Sequence, residues 1–391
     1  MYYGEGIILS LKHLKVLLGK IIVSISISTL LFAALPIFNI EASAAAYTIT
    51  EANGALFACN GTEVFSDADT STFVTTLPVN TPVLVTGSTS NGFWRIDLNG
   101  TPFFVSMQAL SMQPNTTAYK LTSLDAKAAL AMNVSNGKVL YSLGATDRLE
   151  PASTTKIMTA LLTIEAIEAG QIALETPVVV SASSIAGMPR DASHVDPRIQ
   201  AGEIFNVDQL LTAMLVSSDC HSCNVLAELI AGSVPNFVAL MNTRAAQLGC
   251  IDTHFTNPSG YPDKNMYTNA ISLYIITANA IQHPLFNNYF NVQSAVLPAT
   301  NLCPAPRVLV NTDSIIDPTS IYYNPNVVGG KTGTANRAGQ CLVCVATQNE
   351  KTIIAVILGA KNRTMFDGNT VSMRYYEMNR LINIGFQNYY L

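Results

Sequence analysis

The chain has 391 residues, a formal charge of −5 and a pI near 5.5, with only 12% charged residues. That length accommodates two domains, or one large domain plus a module. The acidic balance and the lack of a basic stripe exclude nucleic acid as a partner, and the charged fraction, far below the roughly 25% of ordinary soluble domains, suits an exported protein.

Residues 1–46 read as an export segment. Lys12, Lys15 and Lys20 precede an apolar stretch beginning at Ile21, and Ala42-Ser43-Ala44 forms a small-residue cleavage pattern. The apolar stretch is also about as long as a membrane-spanning helix, so an uncleaved anchor is the alternative. No other segment of the sequence is expected to attach to a membrane.

Residues 47–112 contain short β-type runs punctuated by turns. Val83–Thr86, Phe93–Asp97 and Pro102–Val105 are strand-like, while Asn91-Gly92 and Asn99-Gly100 are hairpin signals. The pattern of Val64-Phe-Ser, Val83-Leu-Val-Thr-Gly87, Asn91-Gly-Phe-Trp94 and Phe104-Val105 resembles a small all-β bacterial SH3-like barrel, a module that often binds cell-wall peptides. A spacer without binding function is the plain alternative, because a fold alone confers no binding. Residues 113–118, with Pro114, read as a linker.

The remainder, 119–391, opens with strand-like runs at Ala126–Asn133 and Gly137–Tyr141. Helical patterns dominate from about 152 to 285, and strand patterns return from about 327 to 360. Tyr375, Met378, Leu381 and Ile382 are spaced for a final amphipathic helix. Strands at both ends with helices between predict a mixed α/β (α+β) domain whose sheet joins distant parts of the chain and carries a helical insertion.

Three segments carry chemistry. In Pro151-Ala-Ser-Thr-Thr-Lys156 the proline favours a helix start, which places Ser153 in the first turn and Lys156 one turn along on the same side. Backbone N–H groups there favour developing negative charge. Lysine ordinarily titrates near ~10.4, so service as a base at neutral pH calls for depression towards roughly 7–8. The second segment, Met214 to Glu228, carries Ser218-Asp-Cys220 at the start of an apolar-faced helix. The third, Val327-Val-Gly-Gly-Lys-Thr-Gly-Thr334, flanks Lys331 and Thr332 with glycines that let a ligand backbone approach a strand edge. A serine followed by lysine, a second serine, then Lys-Thr-Gly is the order used by enzymes that acylate themselves on serine without a histidine triad.

Seven cysteines are an odd count for an exported protein, so at least one is free or paired between molecules. Cys220-His-Ser-Cys223 has the look of a redox or metal pair, yet a zinc site needs four ligands and no others are suitably spaced. Buried thiols or a chance disulfide are preferred over metal binding, and the sequence does not say which cysteines pair. Cys341 and Cys344, three apart in a strand, are expected on opposite faces.

With these motifs in place, and with Leu226-Ala-Glu-Leu-Ile-Ala-Gly232, Thr256-Asn-Pro-Ser-Gly260 and Ile354-Ala-Val-Ile-Leu-Gly-Ala360, residues 119–391 resemble the D-alanyl-D-alanine carboxypeptidases among the low-molecular-mass penicillin-binding proteins. The resemblance implies a β-lactamase/transpeptidase-like fold, peptidoglycan stem peptides as substrate, β-lactams as inhibitors and no cofactor or metal. It implies Ser153 as nucleophile, Lys156 as its base and Ser218 as proton carrier to the departing D-alanine. Lys331, Thr332, Gly333 and Thr334 would bind substrate, with the N–H groups of Ser153 and Thr334 as oxyanion donors. Arg363 is a further candidate for carboxylate contact, with a solvated surface arginine as the alternative. The family's asparagine in the second motif is Cys220 here, a thiol that donates and accepts only weakly, which predicts weakened substrate positioning. The chain is also expected to lack the family's usual additional domain and C-terminal anchor.

Two other readings remain at this point. A class A β-lactamase would need a glutamate in a Glu-x-x-Leu-Asn context, and none lies between Ser218 and Lys331. A wall-binding protein with a decayed site would draw its support from Cys220.

Overall fold

The computed structural model describes residues 47–59, 62–77, 82–98, 100–111, 124–364 and 370–389. The expected leader and linker lie outside these residues.

The first β section is one antiparallel sheet of seven strands: β1 (Ile49–Ala58), β2 (Thr62–Phe65), β3 (Phe73–Leu77), β4 (Pro82–Thr89), β5 (Phe93–Leu98), β6 (Thr101–Ser106) and β7 (Leu110–Ser111). Their order is β3-β2-β6-β5-β4-β1-β7. Val64, Val83, Val85, Ile96 and Val105 are buried at its centre, with the half-buried Trp94 packed against them. Gly92 and Gly100 have φ of 92° and 82°. These left-handed conformations allow the tight β4–β5 and β5–β6 turns expected there. Asn99 itself lies outside the described residues.

The second sheet has the order β14-β15-β16-β8-β9, with every pairing antiparallel. β8 (Ala128–Asn133) and β9 (Val139–Leu143) precede the helices, whereas β14 (Val327–Ala335), β15 (Gly339–Gln348) and β16 (Lys351–Ala360) follow them. Ala355 of β16 stands opposite Ala131 of β8, joining the two chain regions. Between them come α1 (Lys156–Glu168), β10 (Pro177–Val179), α2 (Ala182–Ile185), β11 (Ile204–Asn206), α3 (Val207–Val216), α4 (Cys220–Ala231), α5 (Val234–Gln247), α6 (Ala270–Ala280), α7 (Pro284–Phe290), β12 (Ser294–Leu297) and β13 (Arg307–Val310). β17 (Asn362–Thr364), β18 (Thr370–Ser372) and α8 (Met373–Asn388) complete the chain order.

Alternation along the strands sorts side chains to two cores. Leu130, Met132, Val343, Val345, Ile354 and Val356 face the helical layer. Ala129, Ala131, Leu342, Cys344, Ile353 and Ala355 face α8, which buries Tyr375, Met378, Leu381 and Ile382 as their spacing predicts. Cys341 lies in the first core and Cys344 in the second, so their offset of three does separate them. All seven cysteines are free thiols, and six of them are buried.

Capping residues mark the helices around the site. Asn206 and Gln209 form a reciprocal capping box at α3. Asp219 caps α4 by accepting from Ser222 N–H, and Gly232, with φ of 73°, ends that helix in the left-handed conformation. A buried ion pair ties the residue just before β11 to β13: Arg307 Nη2 donates to Glu203 Oε1 at 2.8 Å, with both side chains at 0% exposure. Thr300 Oγ1 also donates to Glu203 Oε1, and Arg307 Nε donates to Pro197 O.

Candidate active site

The helix expected from Pro151 starts later than the sequence suggests. Ala152–Thr155 is a 3-10 turn, and the α-helix begins at Lys156. Ala152 takes φ of 47°, a conformation that a residue with a Cβ adopts only at some cost. The tight turn leaves Ser153 half-buried at its surface and aims fully buried Lys156 back at it.

Lys156 Nζ stands 2.9 Å from Ser153 Oγ, 2.7 Å from Ser259 O and 3.5 Å from Cys220 Sγ. A free amine has two N–H donors and one lone pair. Nζ reaches three acceptors, Ser153 Oγ among them; in the free-amine form, two donors on Ser259 O and Cys220 Sγ would direct the lone pair at the Ser153 hydroxyl. The geometry is that of an amine able to deprotonate a neighbouring alcohol.

The Ser259 carbonyl is held by a turn whose role sequence reasoning missed. Asn257 Oδ1 accepts from the N–H groups of Ser259, Gly260 and Tyr261, and Thr159 Oγ1 donates to Pro258 O at 2.6 Å. Gly260 has φ of 79°, and a Cβ there would stand 1.8 Å from Ala152 O. Glycine therefore lets this turn press against the nucleophile's own turn.

Ser218 lies in the break between α3 and α4 rather than inside a helix, with φ of 61°. Its Oγ is buried without a hydrogen-bond partner among the described residues, a group free to serve a ligand. Asp219, fully buried, accepts from Val195 N at 2.9 Å, and Cys220 N donates to Ser193 O at 2.9 Å, so the loop before Val195 is fastened to this segment. Burial pushes the Asp219 carboxyl up, but the nearby His221 ring and the Ser222 N–H outweigh it and hold it below its ordinary value.

β14 forms the opposite wall as an edge strand. A Cβ at Gly333 would stand 2.9 Å from Pro151 O and 3.1 Å from Ser153 N, so the strand backbone passes directly beside the nucleophile's turn. Lys331 and Thr332 are buried and Thr334 is exposed. Thr332 Oγ1 meets Thr312 Oγ1 at 2.5 Å. Burial, then repulsion from Lys156, pushes Lys331 down to about 7, with Asp313 opposing.

The structure thus brings Ser153, Lys156, Ser218, Cys220, Lys331, Thr332, Gly333 and Thr334 to one cleft. Arg363 does not join them. It is exposed and paired with Asp125, lining a separate cavity of about 410 Å³ with Tyr376 and Glu377. Its pairing follows from β17, which leaves the sheet after Ala360 and carries the side chain outward. The arginine at the cleft is instead Arg374 at the start of α8, whose Nη1 donates to Gly333 O at 3.0 Å and Thr334 Oγ1 at 2.9 Å. No local motif surrounds Arg374; only the packing of α8 against β15 and β16 places it there.

A family profile described as D-alanyl-D-alanine carboxypeptidase matches residues 113–362. D-alanyl-D-alanine carboxypeptidase DacF of Bacillus subtilis is 30% identical over 265 residues, 68% of this chain and 63% of the relative. DacC of Escherichia coli is 30% identical over 266 residues, 68% of this chain and 62% of the relative. The chain therefore spans a little under two thirds of the length of these curated relatives. Among solved structures, the Streptomyces K15 DD-transpeptidase superposes with a TM-score of 0.59 at 26% identity, covering 68% of this chain and 99% of its own. Penicillin binding protein 5 from Haemophilus influenzae gives 0.59 at 28% identity, covering 68% and 72%. Solved variants of the K15 chain include alanine replacements of a serine and of a cysteine two residues after it.

Proposed function

The chain belongs to the D-alanyl-D-alanine carboxypeptidase family, and from that premise we propose that it releases the terminal D-alanine of peptidoglycan stem peptides through an acyl-enzyme on Ser153. Ser153 Oγ attacks the carbonyl carbon of the penultimate D-alanine while its proton passes to Lys156 Nζ. The oxyanion is taken by the N–H groups of Ser153 and Thr334, and the terminal carboxylate by Lys331, Thr332 and Arg374. The C–N bond then breaks, and the departing amine receives a proton through Ser218. Water hydrolyses the Ser153 ester and restores the enzyme.

The observation that carries this reading is the triple coordination of Lys156 Nζ by Ser153, Ser259 and Cys220 beside the Lys331 strand. A β-lactam fits the same path and leaves a long-lived adduct. The test is labelling with a fluorescent penicillin alongside D-alanine release from a D-Ala-D-Ala peptide. Ser153→Ala is expected to abolish both; label retained in that variant, or penicillin rapidly hydrolysed by the wild type, would overturn the proposal. Action on wall peptides supports an exported location, with residues 1–46 as the export or anchoring segment and 47–112 as an SH3-like module serving as a wall-peptide binder or a spacer.

A second reading concerns the fate of the acyl group. The serine-x-cysteine spacing of the K15 DD-transpeptidase variants recurs at Ser218 and Cys220, which supports transfer to an amine acceptor in place of water. Product analysis with and without an added glycyl acceptor separates the two outcomes.

A further inference from the structure

The cleft has a rim that the pathway above leaves unused. The loop after α2 runs along the side that carries Ser218 and Cys220. Ser193 O accepts from Cys220 N at 2.9 Å, and Asp219 Oδ2 accepts from Val195 N at 2.9 Å. Ala192 and Val195, each 2% exposed, anchor this loop, while the Asp191 and Ser193 beside them are exposed. Ala192 N also donates to Pro189 O at 3.1 Å, closing a turn whose central residues are Arg190 and Asp191.

The Asn257 turn reaches across to the same loop. Gly260 packs against Ala152 O and Ser259 O lies 2.7 Å from Lys156 Nζ, so Tyr261 departs directly from the nucleophile's surroundings. Its N–H donates to Asn257 Oδ1 at 3.1 Å, and its carbonyl accepts from Asn257 Nδ2 at 2.9 Å. With the backbone fixed in this way, Tyr261 OH donates to Asp191 Oδ1 at 2.9 Å. Tyr261 is one residue from the contact with the nucleophile's turn, and Asp191 is two from the carbonyl bonded to Cys220. The pair therefore bridges two walls of the cleft beside Cys220.

Among the described residues, the ion pairs leave Asp191 out, and Tyr261 engages one of its two carboxylate oxygens. Arg198, on the same loop, directs its Nη2 to Arg190 O instead. The rim thus presents a negative group, held in place by a phenol, with an oxygen left for a ligand.

The direction of the substrate decides what meets it. A peptide with its carboxylate at Lys331, Thr332 and Arg374 and its penultimate carbonyl at Ser153 runs its amino-terminal part away from those cations and out past Cys220. The residue before the D-alanine pair arrives at the rim. In stem peptides that residue is commonly a diamino acid whose side chain ends in an amine. A tyrosine ring can carry the aliphatic stem of such a side chain, and a carboxylate receives its ammonium through a charge-assisted hydrogen bond.

We propose that Asp191, aimed by Tyr261, is a specificity-determining residue that selects stem peptides with a free side-chain amine on the residue before the D-alanine pair. This deepens, and rests on, the reading of Ser153 acylation with the substrate carboxylate at Lys331. The serine chemistry is the same for every peptide; the carboxylate decides which one is held in line for it.

The test compares acyl-L-Lys-D-Ala-D-Ala bearing a free side-chain amine with the same peptide acetylated on that amine. The ratio of their kcat/KM values is the readout, because a merely structural disturbance lowers both alike. The wild type should favour the free amine by about five- to tenfold, the worth of a partly solvated hydrogen bond between charged groups. Asp191→Asn should bring the ratio below about twofold, and Asp191→Lys should reverse the preference through like-charge repulsion. A wild-type ratio near unity, a ratio unmoved in Asp191→Asn, or an equal loss on both peptides overturns the proposal. Calorimetric Kd values on Ser153→Ala give the same comparison without turnover, and the preference there should vanish on adding Asp191→Asn. A wild type that neither takes a penicillin label nor cleaves either peptide refutes the functional reading instead, and the Kd ratio still judges Asp191.

Discussion

Cys220 Sγ lies 3.5 Å from Lys156 Nζ, completing the coordination of an amine whose other partners are a serine hydroxyl and a backbone carbonyl. A thiol is a weak partner for that amine and a weaker one for a substrate amide. Cys220→Asn should therefore raise kcat/KM for a D-Ala-D-Ala peptide by about three- to tenfold, the worth of one neutral hydrogen bond. Steady-state kinetics that do not distinguish the two proteins would remove the argument.

Lys156→Met deletes the base while keeping an unbranched side chain of similar length. Acylation of Ser153 should slow by roughly 10²–10⁴-fold, the usual contribution of a positioned base. A time course of fluorescent-penicillin labelling measures it, with a circular-dichroism melt to show that the fold persists. Labelling at the wild-type rate would dismiss Lys156 as the base.

Gly333→Ala tests the close passage of β14. The added methyl would meet Pro151 O at 2.9 Å and the Ala152 Cβ and Ser153 N at 3.1 Å. Because two of these contacts are backbone, the strand or the nucleophile's turn must move. Stability should fall by about 1–3 kcal/mol, with labelling at least about tenfold slower. A normal rate would show that this approach does not set the geometry.

The Glu203–Arg307 pair predicts an asymmetric result. Glu203→Gln leaves the buried guanidinium without its counter-charge and should cost about 3–5 kcal/mol in guanidinium unfolding, whereas Glu203→Leu with Arg307→Met should recover most of it. Equal losses in both proteins would contradict the desolvation account.

Lys331 also sets a pH dependence of stability. Its folded pKa is depressed to about 7, below the ordinary 10.5, so its stabilising contribution is complete above the unfolded value and is lost as pH falls through about 7. Asp313 acts with the opposite sense, since its raised carboxyl favours folding below its ordinary 3.8 and loses that contribution as pH rises through about 6. Relative to Lys331→Met, the wild type should gain roughly 1.4 kcal/mol per unit between about pH 7 and pH 10. Parallel stability curves would count against burial as the cause.

Chemistry written in short motifs was legible before any coordinates. Ser153 with Lys156, Ser218 and the Lys331 strand are encoded by spacing that a helix turn or a strand edge enforces. Period-two alternation likewise separated Cys341 from Cys344. What escaped were residues defined only by contact across the fold. Arg374 reaches the cleft because α8 crosses the sheet, while Arg363, nearer in sequence to the last long strand, turns outward to Asp125. Asp313 and Gly330 are unremarkable singly and meaningful only as a carboxylate and the space it occupies, since a Cβ at Gly330 would stand 2.2 Å from Asp313 Oδ2. The left-handed conformations of Ala152 and Ser218 were equally invisible, since neither residue type announces a positive φ.

The placement of β16 between β15 and β8 has a consequence for the newborn polypeptide. Ser153 and Lys156 are synthesised well before the strand that faces them, and the pairing of β16 with β8 that joins the two halves of the sheet uses residues 353 to 358. The Lys331 strand and its neighbour β15 thus reach the nucleophile's side of the molecule only through a β16 that the chain makes last among its long strands.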